Sequence, residues 1–249
     1  MCNLYEMMKV RAEAAAIVRA MGDRNNNQPP MPEVYPNYAA PIVTRAADGS
    51  RQMQDAVWGM PSSKKALFDA ASKRADKLRA KGQDVDFAQL LRMEPDKGVT
   101  NVRNTSSPHW KPWLGPGHRC LVPFTAFSEP DQVGRTLRPI WFSLSEERPL
   151  AFFAGIWKPA HSCVRKIKDG EVTCDVYGFL TTEANAEVGA YHDKAMPVIL
   201  TSEAERDLWL SDAPWAEVAH LQRPLPDGAL KIVAAPAKEE AQPSQARLL

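Results

Sequence analysis

Helices are predicted where apolar residues recur every three or four positions or where charged, helix-favouring residues dominate. In residues 5–22, Met8, Ala14, Ile17 and Val18 fall near that spacing. A charged segment follows at residues 62–81, and shorter periodic segments lie further along the chain. The sequence therefore predicts helices over residues 5–22, 62–81, 86–93, 203–210 and 215–221.

Apolar and aromatic runs separated by turn residues predict strands between these helices. Asp48-Gly49 and Asp169-Gly170 each lie between two such runs, and Asp-Gly is a preferred pair in two-residue hairpin turns. With a two-residue turn at Asp169-Gly170, Cys163 would lie opposite Val176. The predicted strands span residues 40–46, 51–58, 119–124, 138–144, 150–156, 164–167, 172–179 and 230–234.

The order of these elements predicts an α+β fold, with a curved, mostly antiparallel sheet in the middle and helices at its margins. One domain is expected over residues 2–236, with a helical insertion at about 62–93. Residues 25–36, rich in Pro and Asn, predict an irregular connection. The polar end, residues 237–249, predicts a disordered tail.

Composition and charge narrow the possible partners. A hydrophobic fraction of 44% and a charged fraction of 24% are typical of a globular chain that does not enter a membrane. The net charge is only +1, so binding to a polyanion would need a local basic groove. The start of the chain has no signal-peptide pattern, which predicts a cytoplasmic protein. Balanced charge and no amphipathic seam predict a monomer.

The four cysteines and five histidines do not predict a metal centre. Cys2, Cys120, Cys163 and Cys174 form no Cys-x-x-Cys pair, and the histidines have no regular ligand spacing. A structural zinc site is therefore not expected, and neither is any other cofactor. Thiols in the cytoplasm stay reduced, so no disulfide is expected either.

Cys2 is the residue with the most distinctive chemistry, because removal of Met1 would make it the amino terminus. Methionine aminopeptidases need a small second residue, and Cys is small enough. The product carries an α-amine, with a pKa of about 7.7–8.0, beside a thiol of about 8.5. An aldehyde condenses with such an amine to an imine, and the thiol closes it to a thiazolidine. The closure is intramolecular, with an effective molarity of roughly 10⁵ M or more for well-placed groups.

Four further segments complete a pattern with Cys2 and with Trp58-Gly59, which follows the first predicted hairpin. They are Thr100-Asn101-Val102-Arg103-Asn104-Thr105, Arg119–Phe124 running into Phe127-Ser128-Glu129, Phe179–Asn185, and Tyr191–Leu200 with its His192 and Met196-Pro197. In this order they resemble the SRAP family, the SOS-response-associated peptidases. The resemblance extends from residue 2 to about residue 210 and implies a single domain whose bent sheet forms a pseudo-barrel.

The resemblance also implies a function. The family binds single-stranded DNA and captures abasic sites covalently, through a thiazolidine between its N-terminal Cys and the ring-opened sugar. By motif, Cys2 would be the nucleophile and Asn101 would hold the sugar or imine oxygen. Glu129 would be the general acid–base, and His192 would protonate the ring oxygen of the sugar. The name peptidase reflects proposed self-processing that exposes the Cys.

Three more residues would contact DNA if the family pattern holds. Arg103 would bind a phosphate, and Pro36 and Thr181 would line the DNA channel. A bidentate Arg fixes the position of a strand without reading its sequence. An abasic nucleotide has no base to unstack, which lowers the cost of extruding it.

The chain departs from the family pattern at two places near this site. The common start Cys-Gly-Arg-Phe is replaced by Cys2-Asn3-Leu4-Tyr5, so an Arg that contacts DNA is missing. Pro130 follows Glu129 where the family often has a Trp that stacks on a base. These differences bear on the preferred DNA structure more than on the covalent chemistry, and they indicate a divergent bacterial branch.

Two other classes of function use the same residues. In an N-terminal-nucleophile hydrolase, the Cys2 thiolate would attack an amide with its own amine as base. In a non-catalytic single-strand DNA-binding protein, Cys2 would have no chemical role. A weak AP lyase activity through the imine is a further expectation if the thiol fails to close the ring. Each site residue alone is as consistent with a turn, a surface charge or a loop, so the assignment depends on their combination.

Overall fold

The computed structural model describes residues 2–9, 11–20, 22–23 and 29–233. Its strands, β1 to β14 in chain order, are Leu4–Met7, Gly22–Asp23, Met31–Val34, Ala39–Arg45, Arg51–Trp58, Asn101–Val102, Arg119–Phe124, Ala126–Pro130, Pro139–Ser143, Ala151–Val164, Glu171–Thr182, Met196–Pro197, Ile199–Leu200 and Lys231–Val233. Its α-helices, α1 to α6, are Arg11–Ile17, Lys64–Arg79, Phe87–Arg92, Ala186–Gly189, Glu203–Trp209 and Trp215–Val218. Short 3₁₀ turns lie at Lys111–Trp113, Pro116–His118, Ile167–Asp169 and Ala219–Leu221.

Five strands close into a barrel. The order β11-β10-β7-β4-β5 is antiparallel throughout, and β5 then pairs in parallel with β11, through Val57 opposite Val176. A second sheet, in the order β14-β9-β8-β1-β3, contains the start of the chain. The predicted α+β fold with a bent, mostly antiparallel sheet and peripheral helices is confirmed. In the described residues, none of the helices is long and apolar enough to cross a membrane.

Aromatic side chains fill the space between the barrel and the second sheet. Phe124 stacks on Phe153 with ring centroids 3.8 Å apart, and Phe153 lies 4.6 Å from Phe179. Each fully buried Phe stabilises the fold by about 1.5–3 kcal/mol relative to an exposed one. Cys2 belongs to this same core cluster. Cys2, the nucleophile expected from the sequence, therefore lies in the packed interior.

The first hairpin follows from its turn chemistry. Asp48 accepts a hydrogen bond from the Ser50 amide at 2.9 Å, and Gly49 adopts a φ of 84°, which favours glycine. Strands β4 and β5 confirm the prediction for residues 40–46 and 51–58, and β7 has the predicted bounds. The helices predicted over residues 203–210 and 215–221 are also present, the second ending as a 3₁₀ turn.

Two helices occupy the segment between the first hairpin and β6, as predicted. Ser63 caps α2 by accepting from the Ala66 amide at 3.1 Å, and Asp86 caps α3 by accepting from Gln89 at 3.0 Å. An edge-to-face contact at 5.3 Å between Phe68 and Phe87 holds the two helices together.

The helix predicted over residues 5–22 is wrong in its first part. Residues 4–7 form β1, and the helix covers only Arg11–Ile17. Strand β1 pairs with both β3 and β8, so its backbone bonds are satisfied by distant partners rather than by a helix. Tertiary pairing overrides a weak local preference here. Likewise β3, at Met31–Val34, lies within residues 25–36 that were predicted to be irregular; residues 25–28 fall outside the described ranges.

The register predicted for the second hairpin is also wrong. Cys163 pairs with Val172 rather than with Val176, because the 3₁₀ turn at Ile167–Asp169 makes the connection longer than two residues. Consequently residues 165–167 are not part of a strand, and β10 runs unbroken from Ala151 to Val164. Strand β8, which carries Glu129, was not predicted. The predicted tail at 237–249 lies outside the described residues.

Candidate active site

Strand pairing brings Glu129 to the start of the chain. In the antiparallel β1–β8 ladder, Leu4 lies opposite Ser128 and Tyr5 opposite Phe127. Glu129 is the next residue of β8 after Ser128. Both Cys2 and Glu129 are completely buried. The thiol of Cys2 donates to the carbonyl of Leu4 at 3.5 Å.

Asn101 reaches Cys2 from the opposite sheet. It lies on β6, which pairs in parallel with β11, and the indole of Trp58 donates to the carbonyl of Thr100 at 3.1 Å. The Nδ2 of Asn101 donates to the carbonyl oxygen of Cys2 at 2.8 Å. Its Oδ1 is buried and has no hydrogen-bond partner among the described residues. An unsatisfied buried acceptor costs about 1–3 kcal/mol, and such atoms often mark a site that completes its bonds with a ligand.

His192 joins the group through the segment after α4. Its Nδ1 lies 3.1 Å from the carbonyl of Ala195 and 3.7 Å from Oε2 of Glu129. The carbonyl of Tyr191 accepts from the amides of Gln132 and Val133, at 2.9 and 3.1 Å, so backbone bonds tie this segment to the loop after β8. His192 is 1% exposed. Cys2, Asn101, Glu129 and His192 thus converge from four distant parts of the chain.

Burial sets the protonation of this group. It raises the pKa of Glu129 to about 7, and it lowers the pKa of His192 below its usual 6.5. Burial, together with the negative charge of Glu129, also raises the pKa of the Cys2 thiol well above 9.0. Near neutral pH, Glu129 can therefore take up or release a proton while His192 is a neutral imidazole. A carboxyl group with its pKa near the working pH is suited to general acid–base catalysis.

Glu129→Gln is expected to stabilise the fold at high pH. The carboxyl group binds its proton more tightly in the folded chain, with a pKa of about 7, than when unfolded, near 4.3. The stabilisation of the folded chain by this tighter proton binding is complete below the unfolded pKa and is lost as the pH rises through the folded pKa. Gln does not ionise, so its advantage over Glu in the free energy of unfolding should grow between these pH values, approaching about 4 kcal/mol. Urea unfolding at several pH values measures this; a difference independent of pH would contradict the buried, protonated Glu129.

An open cleft of about 510 Å³ lies next to three of the four residues, Cys2, Asn101 and Glu129. Its wall is built from their chain neighbours, which are Asn3, Leu4, Thr100, Ser128 and Pro130, together with Tyr35, Pro36, Lys97, Gly98, Leu137 and Pro139. Most of these side chains are apolar and several are rigid. Such a wall suits a flat base, or the sugar of a nucleotide that has left the base stack.

The three predicted DNA contacts are placed differently. Pro36 lies on the wall of the cleft. Thr181 is 1% exposed and does not reach the wall, so the structure does not bring it to the predicted channel. The Nη1 of Arg103 donates to the carbonyls of Thr182, at 2.8 Å, and Lys194, at 2.5 Å. Arg103 therefore fixes the His192 segment against β11, while its side chain is still 45% exposed.

Sequence reasoning missed Tyr35, which lies beside Pro36 in the cleft and contacts Tyr38 edge-to-face at 5.6 Å. A Tyr at this position offers the stacking surface that Pro130 cannot provide. Its only sequence signal was its position next to Pro36. Trp58, in contrast, is fully buried and stacks on Phe179 at 5.2 Å, so it is a core residue.

One group of potential metal ligands forms in the described residues, away from Cys2. Donor atoms of Asp96, His161 and Cys163 lie within 4.8 Å of one another. The carboxylate of Asp96 already accepts from the amides of Ser62 and Gly98, at 3.1 and 2.8 Å. Lys158 lies 3.4 Å from Nδ1 of His161. These contacts explain the cluster without a metal, because they join the residues before α2 and β6 to strand β10 of the barrel.

Solved structures with the same fold come from bacteria. A crystal structure of a protein from Bordetella bronchiseptica superposes with a TM-score of 0.62 at 21% identity, covering 92% of this chain and 97% of that one. A protein from Bacteroides thetaiotaomicron gives 0.60 at 21% identity, covering 92% and 90%. A phage-related protein from Bordetella bronchiseptica gives 0.57 at 15% identity, covering 92% of each chain. At these identities, the likeness concerns the fold.

The sequence itself defines the family. The model of the SRAP family, described as SOS response associated peptidase, matches residues 1–238 of the 249. The chain therefore belongs to the SRAP family, which confirms the resemblance found in its motifs. Membership associates the protein with the response to DNA damage. No curated protein matches the chain.

Proposed function

We propose that this protein captures abasic sites in single-stranded DNA by a covalent bond to Cys2, after removal of Met1. The observation that carries the proposal is the convergence of Cys2, Asn101, Glu129 and His192, three of which have chain neighbours in the wall of one cleft. A hydrogen bond of 2.8 Å links Asn101 to Cys2, and 3.7 Å separates His192 from Glu129. Only the first residue of a chain can supply both an amine and a thiol to one carbon atom.

The reaction needs two proton transfers before the bond to the sugar forms. The closed sugar ring hides its aldehyde, so the small fraction of His192 that is imidazolium donates a proton to the ring oxygen as the ring opens, which leaves the neutral imidazole that burial favours. Glu129, with its pKa raised to about 7 by burial, takes a proton from the amine of Cys2 as that amine attacks C1′. Loss of one water gives the imine. Asn101 holds the departing hydroxyl group, for which its unsatisfied Oδ1 is a suitable acceptor.

The thiol then completes the adduct. The sulfur of Cys2 adds to the imine carbon, and its proton passes to the imine nitrogen, which closes a thiazolidine with no further loss of atoms. Burial keeps this thiol protonated, so an adjacent base has to accept its proton as the carbon–sulfur bond forms. Glu129, having delivered its first proton to the leaving water, is the group suited to that step.

Binding of the strand depends on the cleft and its surroundings. Tyr35 and Pro36 provide a stacking surface for a neighbouring base, and the exposed part of Arg103 is available to a phosphate. These contacts do not read base identity, as expected for a sensor of damage in any sequence. The protein would act in the cytoplasm, on the chromosome, as a monomer and without a cofactor.

Intact mass spectrometry tests the proposal directly. The purified protein is incubated with a single strand that carries one abasic site, and then heated in detergent. The expected product has the mass of the chain without Met1 plus the strand minus one water. A matched chain, in which a residue that aminopeptidases do not remove precedes Cys2, should give no adduct. Salt-sensitive binding without any adduct, or hydrolysis of amide substrates without DNA, would overturn the proposal in favour of the two rival functions.

A further inference from the structure

A second cleft lies along α2, the longer helix of the segment inserted before β6. Its volume is about 470 Å³, and its basic lining residues are Lys73, Arg74, Lys77 and Lys97. We propose that this cleft binds the phosphate backbone of DNA that flanks the captured nucleotide. The inference rests on the proposed function and gives the inserted helices a role, namely to extend the path of the strand beyond the reactive site.

Three of the four cationic side chains that line this cleft, all except Arg74, form no ion pair with a described residue. Arg74 pairs with Glu94 at 3.3 Å, and outside the cleft Lys65 pairs with Asp69 at 3.0 Å. Lys73 and Lys77 are exposed, and neither forms an ion pair with any described residue. They lie four residues apart, and like charges at this spacing destabilise a helix by about 0.2–0.5 kcal/mol. A binding role for the pair explains why this cost is present.

The two clefts are adjacent at Lys97, which lines both of them. Contacts of its two chain neighbours, Asp96 and Gly98, fix the backbone position of Lys97. The carboxylate of Asp96 accepts from the amides of Ser62 and Gly98. Gly98 itself has a φ of 74°, and a Cβ there would come within 2.7 Å of the backbone of Gly59. The loop therefore carries Lys97 on a rigid base between the candidate active site and α2.

The local charge is suited to a polyanion although the whole chain is almost neutral. Four cationic side chains face this cleft against one carboxylate, Glu94, which is buried and paired with Arg74. The whole chain has a net charge of only +1. A groove of one sign concentrates the oppositely charged ligand near its walls. Lys side chains act on phosphates as point charges and so accept any base sequence.

Equilibrium binding of the intact protein to two strands tests the proposal. Each carries the tetrahydrofuran analogue of an abasic site, which has no aldehyde and forms no adduct. One strand has about 5 nucleotides and the other about 25, which bracket the usual range of single-strand sites. In Lys73→Gln/Lys77→Gln, fluorescence anisotropy should show weaker binding of the long strand only, by roughly tenfold at about 0.1 M salt. The slope of log affinity against log salt should fall by about 1.4 for two lost phosphate contacts.

Lys166→Gln/Lys168→Gln is the matched control, because it removes two exposed charges from the turn between β10 and β11. Gln and Lys have similar helix propensities, so the α2 variant should keep its helix, which circular dichroism verifies. If the α2 variant and the control bind the long strand with equal affinity and equal salt slope, the inference is wrong. If their difference persists but a reactive abasic strand gives no adduct with the parent protein, the phosphate site stands and the proposed crosslinking function is wrong.

Discussion

Cys2→Ala should abolish the heat-stable adduct with abasic DNA while leaving an imine that borohydride can trap. Aminopeptidases also remove Met1 when the second residue is Ala. The variant therefore keeps an N-terminal amine at position 2 but has no thiol to close the ring. Without the intramolecular closure, water returns the imine to aldehyde and amine, and the stable yield should fall by at least about a hundredfold. Denaturing gel electrophoresis with and without borohydride measures both products.

Cys163→Ala is the matched control for this experiment. Cys163 is a free, half-buried cysteine of the β10–β11 hairpin and lies outside the candidate site. Its replacement should change neither the adduct nor the trapped imine. A Cys2→Ala chain that still formed the heat-stable adduct would show that the bond is made elsewhere. Loss of the trapped imine in a correctly folded Cys2→Ala chain would instead show that the amine is not the attacking group.

Glu129→Gln should slow crosslinking by about a hundredfold or more, the usual contribution of a general acid–base. In the parent protein, the rate should rise with pH through about 7, because the ionised form of Glu129 accepts the proton of the amine. In the variant, this rise should move towards about 8, where the terminal amine itself loses its proton. Single-turnover rates measured from pH 5 to 9 separate the two profiles.

Glu171→Gln provides the comparison for Glu129→Gln, since Glu171 is an exposed carboxylate at the start of β11. It should leave both the rate and its pH profile unchanged. If Glu129→Gln lowered the rate by the same factor at every pH, Glu129 would only position other groups. Unfolding measured on the same samples separates loss of activity from loss of structure, because Glu129→Gln is expected to be the more stable chain above neutral pH.

Local pattern was sufficient for the barrel strands and for β9 and β14 of the second sheet, but not for its β1, β3 and β8. The hairpin of β4 and β5 could be predicted because Asp48-Gly49 and the flanking apolar runs are adjacent in sequence. Strand β1 could not, since its partner β8 lies about 120 residues away and its short sequence also fits a helix. The register of Cys163 depended on a 3₁₀ turn for which the Asp-Gly signal was misleading.

The motifs selected the candidate site residues, but only the fold shows their mutual contacts. Nothing in the sequence indicates that Arg103 bonds to the carbonyls of Thr182 and Lys194, or that Thr181 is enclosed. The hydrogen bond from Asn101 to Cys2 joins residues 99 positions apart. Contacts of this kind depend on how the sheets close, and no local spacing encodes them.

The place of β1 between β3 and β8 constrains events during synthesis. The first residues leave the ribosome long before Ala126–Pro130 exists to pair with them, an interval of roughly 6–25 s at 5–20 residues per second. Throughout that interval the nascent terminus is open to an aminopeptidase. After β8 has been made and paired, Cys2 is enclosed in the core. Under the proposed function, Met1 must therefore be removed before this pairing is complete, and hosts that remove it slowly should yield mixtures of trimmed, active chains and untrimmed, inactive ones.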